Sequence, residues 1–262
     1  MKPAAGSVHR SSGASASGTP QASLVISPGP DAILPVPVQA LKKPSGKTGS
    51  LRDHHIRKDV FYTIRHKDAL HIVSEDYSYK SETYYTILKN ELDGNAVFPA
   101  SCDVLDAYVV PNCLERAKLA GIPVSEWGIS QAYVPLPAII YGLNYFSCPS
   151  EYFVVDNHEK AKDVIKHVTN NGKYPFCYQR LNEDSSIVAV TSVFGRTPGA
   201  ADAVVRSAEK IYDLFAIPLS RLVFVRRGED YTLSSIGPAR YSQLHEDERH
   251  LLCAYLSNQE FL

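Results

Sequence analysis

The chain has 262 residues, of which 44% are hydrophobic, and its formal net charge is −1. This length allows one substantial core, and the near-zero charge argues against nucleic acid or an acidic membrane surface as a partner. No apolar run approaches the roughly 18 residues that a membrane span needs. The five cysteines are scattered without C-x-x-C spacing, which argues against a zinc site or a disulfide framework. We therefore expect a cytoplasmic protein that binds neither nucleic acid nor membrane.

The N-terminal segment differs in composition from the rest of the chain. Residues 1–55 are rich in Ser, Gly, Ala and Pro, and such a segment buries too little apolar surface to offset its conformational entropy. We predict a disordered tail over 1–55 and a single folded domain over 56–262.

The first part of the domain predicts a strand, a helix and a second strand. Residues 69–73 form a short apolar run, and Tyr77, Ser81, Tyr84, Tyr85 and Leu88 then follow at the spacing of one helical face. Gly94 ends the predicted helix, and residues 96–99 return to the core. A weak strand is expected over 60–64.

Further elements follow in order. A helix is predicted from Ser101, as its N-cap, to Ala120, with Pro111 either kinking it or opening a second helix. Strands are expected at 138–141, 152–155, 175–179 and 187–194, with a helix at 158–169 capped by Asn157. An amphipathic helix over 200–216, a hairpin of 222–225 with 231–236, and a last helix over 245–258 complete the chain. The alternation predicts an α/β or α+β fold with a layered sheet, flanking helices and a C-terminal hairpin plus helix.

The tyrosine cluster has two interpretations. Tyrosines at helical spacing usually pack in the core, where the hydroxyl finds a partner. Alternatively, the loop between a strand and a helix in an α/β layer is a common place for ligands, and the helix N-terminus attracts anions. On the second interpretation Tyr77, Tyr79, Tyr84 and Tyr85 are candidate substrate-binding residues.

A second candidate lies at residues 194–198, where a predicted strand ends. Gly195, Arg196 and Thr197 together suit a carboxylate or phosphate, although the composition favours an ordinary strand-to-helix turn with the arginine in water. The chain has no complete Walker loop, G-x-G-x-x-G, His-Glu-x-x-His or Gly-x-Ser-x-Gly motif. We therefore assign no catalytic residue and no metal ligand.

Two separated blocks resemble a known family. They are Tyr77-Ser-Tyr-Lys-Ser-Glu-Thr-Tyr-Tyr85 with Asn95-Ala-Val-Phe-Pro99, and Val193-Phe-Gly-Arg-Thr197 with Ile211-Tyr-Asp-Leu-Phe215. Their order and spacing are similar to the domain found N-terminal to RimK-like ATP-grasp ligases. The resemblance covers about 69–105 and 187–258 and leaves 106–186 unmatched, or as an ATP-grasp-like insert.

The chain departs from that family at three places. Thr83 stands where the family has glycine, and residues 138–141 lack the nucleotide-binding lysine expected in an ATP-grasp fold. Ser234-Ser-Ile-Gly-Pro238 occupies the place of the expected metal-binding acid and asparagine.

The resemblance implies an accessory domain beside an enzyme that joins a carboxylate to an amine with ATP. No ligase domain is recognised, so we expect an accessory or substrate-binding protein, without cofactor, that acts on a peptide or amino acid with an ATP-grasp ligase supplied in trans. One alternative is a divergent ATP-grasp ligase that uses ATP and magnesium. The other is a non-catalytic interaction or scaffold protein.

Overall fold

The computed structural model describes residues 56–58, 60–145, 147–148 and 151–257, and all of them belong to one compact unit, 51–262. The predicted tail over 1–55 lies outside the described residues. No helix among the described residues combines the length and the apolar character needed to cross a membrane.

The N-terminal part forms a small mixed sheet. Its elements are β1 (Tyr62–His66), β2 (Ala69–Val73), helix α1 (Glu82–Leu92) and β3 (Ala96–Phe98). Strand β2 pairs antiparallel with β1 and parallel with β3, so α1 is the crossover between two parallel strands. The predicted strand–helix–strand unit is confirmed.

The predicted face and start of α1 are wrong. The helix begins at Glu82 because Ser81 caps it, its side chain accepting a hydrogen bond from the backbone N–H of Tyr84. Its buried residues are Thr83 and Ile87, whereas Tyr85 is 59% exposed. Tyr77 precedes the helix in a turn, so it does not share a helical face with Tyr84.

Two short helices follow, α2 (Ser101–Tyr108) and α3 (Val110–Leu119). Pro111 lies in the first turn of α3, where a missing N–H is harmless, so it opens a second helix rather than kinking one. Ala100, not Ser101, is the N-cap of α2. Both helices bury their apolar sides against the main core.

The central part forms a four-stranded antiparallel sheet in the order β4-β7-β5-β6. Its elements are β4 (Trp127–Ser130), β5 (Ala138–Gly142), β6 (Phe153–Val155), helix α4 (His158–Val168) and β7 (Phe176–Arg180). The sequence did not predict β4, because its four residues contain a glycine and no clear alternation. The predicted cap of α4 is confirmed, since Asn157 accepts from the backbone N–H of Lys160.

The C-terminal part forms a three-stranded antiparallel sheet in the order β10-β9-β8. Its elements are β8 (Ser186–Val193), α5 (Asp202–Phe215), β9 (Leu219–Arg227), β10 (Asp230–Gly237) and α6 (Glu246–Leu256). Strands β7 and β8 follow one another in the chain but belong to different sheets. The hairpin of β9 and β10 and both helices confirm the prediction, as does the mixed α/β architecture.

The largest core cluster spans the central and C-terminal sheets. It joins side chains of β5 and β7, such as Ile139 and Cys177, to Phe224 of β9 and Ile236 of β10. The backbone completes the contact, because Leu233 of β10 donates to the carbonyl oxygen of Pro123 at 2.8 Å and accepts from the N–H of Ser125. The two sheets therefore pack directly on each other.

Candidate functional site

The turn before α1 is held by hydrogen bonds within its own sequence. The Ser74 backbone N–H donates to the Tyr77 hydroxyl at 2.9 Å, and the Ser74 and Thr83 hydroxyls are 2.8 Å apart. Asp76 accepts from both the backbone N–H and the hydroxyl of Ser78. The hydroxyl of Thr83, at the family's glycine position, thus ties the helix to the preceding strand.

A cavity of about 520 Å³ opens beside this turn. We call it the Tyr79 cavity. Its lining comes from the turn, the α2–α3 junction, Ile129, the end of β5 with the following loop, and Pro238. The lining residues used below are Asp76, Tyr79, Lys80, Leu105, Tyr108, Val109, Asn112, Ile129, Tyr141, Tyr145 and Cys148.

An aromatic pair and one ammonium group lie in the lining of the Tyr79 cavity. The rings of Tyr79 and Tyr145 meet edge to face with centroids 5.6 Å apart. Lys80 Nζ lies 4.4 Å from the centroid of Tyr145, and it donates to the backbone carbonyl oxygen of the same residue. Such cation–π contacts favour a fixed ammonium position over a freely moving one.

Apolar side chains surround the cavity where the protein meets solvent. Twelve large hydrophobic side chains are exposed in the described part of the chain, and five of them line this cavity. The five are Tyr79, Leu105, Val109, Ile129 and Tyr145, with exposures from 37% to 58%. Scattered exposed hydrophobics are ordinary, but their concentration around one cavity is typical of a binding site.

The Tyr108 hydroxyl adds a polar group to the cavity wall. The oxygen is buried and makes no hydrogen bond of standard geometry with a described residue, although the Tyr77 backbone lies close to it. Burial, and then the nearby Asp76 carboxylate, raise the pKa of Tyr108 well above its usual value. The hydroxyl therefore keeps its proton at physiological pH.

Next to the cavity, the central and C-terminal sheets meet in a buried polar contact. We call it the Tyr141–Ser234 contact, and it consists of Tyr141, Gln179 and Ser234. The hydroxyls of Tyr141 and Ser234 are 2.6 Å apart, and Gln179 Nε2 donates to the Ser234 carbonyl oxygen at 2.7 Å. None of the three residues is more than 1% exposed. Burial raises the pKa of Tyr141, so this hydroxyl stays neutral.

Two buried oxygen atoms near this contact lack a hydrogen bond to any described residue. They are Gln179 Oε1 and the hydroxyl of Ser235. The Ser235 hydroxyl lies close to Tyr141, and with Ser234 it lowers the pKa of Tyr141, although the opposite effect of burial is larger. Each such atom costs about 1–3 kcal/mol when it is left unsatisfied. The contact is therefore tightly packed but not fully satisfied.

Arg196 and Thr197 of the predicted corner line a separate, open groove of about 630 Å³ between α5 and α6. Gly195 has φ +79°, and a Cβ there would lie 2.8 Å from the Tyr212 Cβ, so the corner favours glycine. The Arg196 guanidinium carbon lies 5.8 Å from the Tyr255 ring centroid. Thr197 is 5% exposed, and its hydroxyl makes no hydrogen bond with a described residue.

The seven predicted site residues do not form one site in the described part of the chain. Only Tyr79 lines the first cavity, and of the predicted corner Arg196 and Thr197 line the groove. Tyr77 is fully buried, Tyr84 packs on the main core, and Tyr85 lies in solvent, its ring edge to face with Tyr84. Their role in binding substrate stays a prediction.

Sequence reasoning missed most of the cavity lining. Lys80 sits between two residues that were considered, but the helical spacing directed attention to Tyr77 and Tyr84. Leu105 and Val109 were taken for part of an amphipathic helix, and only the break between α2 and α3 places them beside the cavity. The aromatic residues around Tyr145 were the one feature of the sequence that indicated this part of the cavity lining.

The described residues contain no group of three His, Cys, Asp or Glu side chains placed to hold a metal ion. In the segments 138–141 and 234–238, where the resemblance implies a lysine and a metal-binding acid, the hydroxyls of Tyr141 and Ser234 form a hydrogen bond with each other. The residues present there do not fit a magnesium–nucleotide complex, because the two hydroxyls and the Gln179 amide are uncharged and already packed against each other.

Part of the chain matches a family model of known proteins. Residues 148–255 match the model of the RimK-like ATPgrasp N-terminal domain. The match includes the second block of the sequence resemblance and the central segment 148–186, and it does not include the tyrosine block. No curated protein matches the chain.

Several solved structures are similar in fold. D-Alanine-D-alanine ligase from Helicobacter pylori has a TM-score of 0.50 at 13% identity, covering 66% of this chain and 65% of that one. The RimK domain ATP-grasp protein from Sphaerobacter thermophilus DSM 20745 has 0.49 at 13%, covering 66% and 77%. The ATP-grasp ligase PsnB, complexed with a phosphomimetic variant of its minimal precursor, Mg and ADP, has 0.47 at 15%, covering 66% and 64%.

The chain thus spans slightly less than two thirds of the length of PsnB and of the D-alanine-D-alanine ligase. The family match agrees with the second of the two blocks found in the sequence and does not extend to the first. Residues 148–255 are thus similar to the RimK-like ATPgrasp N-terminal domain, and the fold is similar to that of D-alanine-D-alanine ligase.

Proposed function

We propose that this protein is a non-catalytic accessory or substrate-binding protein, which works with an ATP-grasp carboxylate–amine ligase supplied in trans. One observation carries the proposal. The Tyr141 and Ser234 hydroxyls, 2.6 Å apart and buried, lie in the segments 138–141 and 234–238, where the resemblance implies a nucleotide-binding lysine and a metal-binding acid with an asparagine.

The chemistry of this contact opposes nucleotide binding. A nucleoside triphosphate with magnesium carries several charges, and burying a charge without a partner costs a large amount of free energy. The contact offers two hydroxyls and an amide, and Ile139, Cys177 and Phe224 pack around it in the same core. To admit a nucleotide, the central and C-terminal sheets would have to separate and expose that core to water.

The Tyr79 cavity supports the binding half of the proposal. It lies beside the closed contact, has the size of a small-molecule site, and combines apolar walls with a few polar groups. Tyr141 belongs to both regions, since it lines the cavity while its hydroxyl meets Ser234. An open cavity for a ligand therefore lies next to the closely packed Tyr141–Ser234 contact.

The cysteines agree with a reducing compartment such as the cytoplasm, where ATP-dependent ligases would meet this protein. Cys113 and Cys177 are buried thiols outside any disulfide. Burial raises the pKa of each of these two thiols to about 12, which makes them poor nucleophiles. This supports a structural role for both.

The second candidate function is a divergent ATP-grasp ligase, and the fold shared with D-alanine-D-alanine ligase favours it. Glu183 and Asp184 are the acids considered for this role from the sequence. Asp184 lies in the turn after β7 and pairs with Arg227 at 3.2 Å, with both side chains 62% exposed. A surface ion pair of this kind is a weak candidate for a magnesium site.

A turnover assay separates the two functions. The purified full chain is incubated with ATP, magnesium and a mixture of amino acids, and ADP release is measured together with calorimetric titration of ATP–magnesium. The proposal predicts no ADP above the protein-free blank and no heat of binding at millimolar nucleotide. ADP release that depends on both amino acid and chain would establish the ligase instead.

A further inference from the structure

The Tyr79 cavity has features that define the class of its ligand, and this inference rests on the proposed binding function. We propose that the cavity binds a short peptide or an amino-acid derivative that has a large apolar side chain and a free carboxylate. Neither the family match nor the similar structures assign this cavity to any ligand.

The volume sets the size of the ligand. Small-molecule sites usually measure about 300–1,000 Å³, and the cavity of about 520 Å³ falls within that range. It is large enough for a dipeptide and too small for a folded partner.

The walls define the apolar part of the ligand. Val104, Leu105, Val109 and Val110 come from the α2–α3 junction, and Ile129 adds an apolar side chain from β4. Burying apolar surface is favourable, so a phenyl-sized group should bind here about tenfold more tightly than a methyl group. The exposed rings of Tyr79 and Tyr145 also suit an aromatic ligand, which can pack against them edge to face.

The charged residues of the cavity lining favour a ligand that has a carboxylate. Lys80 and Asp76 are the charged residues of the lining. Asp76 already accepts hydrogen bonds from the backbone and the hydroxyl of Ser78. Lys80, in contrast, has no carboxylate partner among the described residues, and its ammonium is held over two rings. The Lys80 ammonium would donate a charge-assisted hydrogen bond to a ligand carboxylate.

Two further groups suit the polar part of the ligand. The buried Tyr108 hydroxyl is protonated and lacks a hydrogen bond of standard geometry in the described chain, so it can donate to a peptide carbonyl. The first turn of α3, where Asn112 lies, also lines the cavity, and this helix has no side-chain N-cap. Its positive dipole end adds to the preference for a negative group.

The test uses the full chain and three probes in isothermal titration calorimetry. The probes are glycyl-phenylalanine, its C-terminal amide, and glycyl-alanine. We expect glycyl-phenylalanine to bind, and the amide and glycyl-alanine each to bind about tenfold more weakly, since each lacks one recognised group. Equal binding of the acid and the amide, or no binding of glycyl-phenylalanine at 10 mM, would overturn the inference.

Two variants locate the site. Lys80→Met keeps the aliphatic stem and removes the charge, so it should abolish the difference between acid and amide, whereas the exposed Lys89→Met on α1 should preserve it. Leu105→Trp fills the cavity and should remove binding, whereas Leu119→Trp, at an 85% exposed position outside the lining, should not. Full binding by Leu105→Trp would place the ligand elsewhere and refute the inference.

The outcome is separable from that of the proposed function. If ATP–magnesium is turned over, the non-catalytic function fails whatever the peptide probes show. If there is no turnover and the probes bind without discrimination, only the ligand class fails. A fluorescence melt of each variant confirms that it is folded before its titration is interpreted.

Discussion

The Tyr141–Ser234 contact and the Tyr79 cavity both contain hydroxyl and amide side chains, but the two regions use them differently. In the contact, the polar groups hydrogen-bond mainly to each other across two sheets and are closed off from water. In the cavity, the ammonium of Lys80 lies over two aromatic rings of the lining, and the buried hydroxyl of Tyr108 makes no hydrogen bond of standard geometry with a described residue. Polar groups that satisfy each other hold a structure together, whereas those facing a cavity are available to a ligand.

The proposed function interprets this difference as binding without catalysis. The Tyr141–Ser234 contact lies in the core, whereas the neighbouring Tyr79 cavity is open. The predictions below test whether the first region is structural and the second is not.

The largest expected effect is on stability at the contact. Tyr141→Ala removes a fully buried ring together with its hydrogen bond and should lower the free energy of unfolding by about 3–5 kcal/mol. Tyr133→Ala, at a 68% exposed position, should change it by less than about 0.5 kcal/mol. Urea denaturation followed by circular dichroism measures both. Similar values for the two variants would mean that Tyr141 is not part of a packed core.

A carboxylate introduced at the contact should be nearly as harmful. Ser234→Asp restores an acid where the resemblance implies one, but it buries a charge without a partner and should destabilise the protein by about 3 kcal/mol. Added magnesium should not restore the melting temperature, because the described residues offer no further ligands nearby. A magnesium-dependent rise in the melting temperature of this variant would reveal a latent metal site.

Two neighbouring serines give a smaller and sharper comparison. Both Ser234 and Ser235 are fully buried, but of the two only Ser234 forms a hydrogen bond of standard geometry with Tyr141. Ser234→Ala should cost about 1–2 kcal/mol, since it leaves the Tyr141 hydroxyl unsatisfied. Ser235→Ala removes an unsatisfied hydroxyl and should be neutral or slightly stabilising. If Ser235→Ala were the more costly change, the partner of Tyr141 would be misassigned.

The smallest effect concerns thiol reactivity and pH. Alkylation requires the thiolate, and the pKa of about 12 for Cys177 keeps that form rare in the folded protein. Iodoacetamide should therefore label the exposed Cys102 at pH 8, and labelling of Cys177 should stay negligible when the pH rises to 9. Mass spectrometry of tryptic peptides gives the ratio, and unfolding in urea serves as the positive control. Rapid native labelling of Cys177 would show that the central sheet opens.

The sequence predicted the elements better than their arrangement. Apolar runs such as 69–73 and amphipathic periods such as 202–215 determine local structure, and these predictions held. The separation of β7 and β8 into different sheets depends on pairing between distant strands, which no local pattern shows. The start of α1 was missed because a helical spacing of tyrosines concealed the Ser81 cap.

The candidate site was predictable only in part. Tyr79 was named from its place in a loop before a helix, and it does line the cavity. The approach of Tyr141 to Ser234 spans 93 positions in the chain, so it follows from the packing of two sheets rather than from any motif. Lys80 was passed over because its contact with Tyr145 joins two distant segments.

The most direct test of the closed contact is amide hydrogen exchange in β5, β7 and β10 with and without ATP–magnesium. If the contact is structural, these strands should exchange only through global unfolding, and millimolar nucleotide should leave their protection factors unchanged. Increased protection of residues 138–142 and 233–236 on adding ATP–magnesium would show that the nucleotide binds between the sheets, and it would contradict the account.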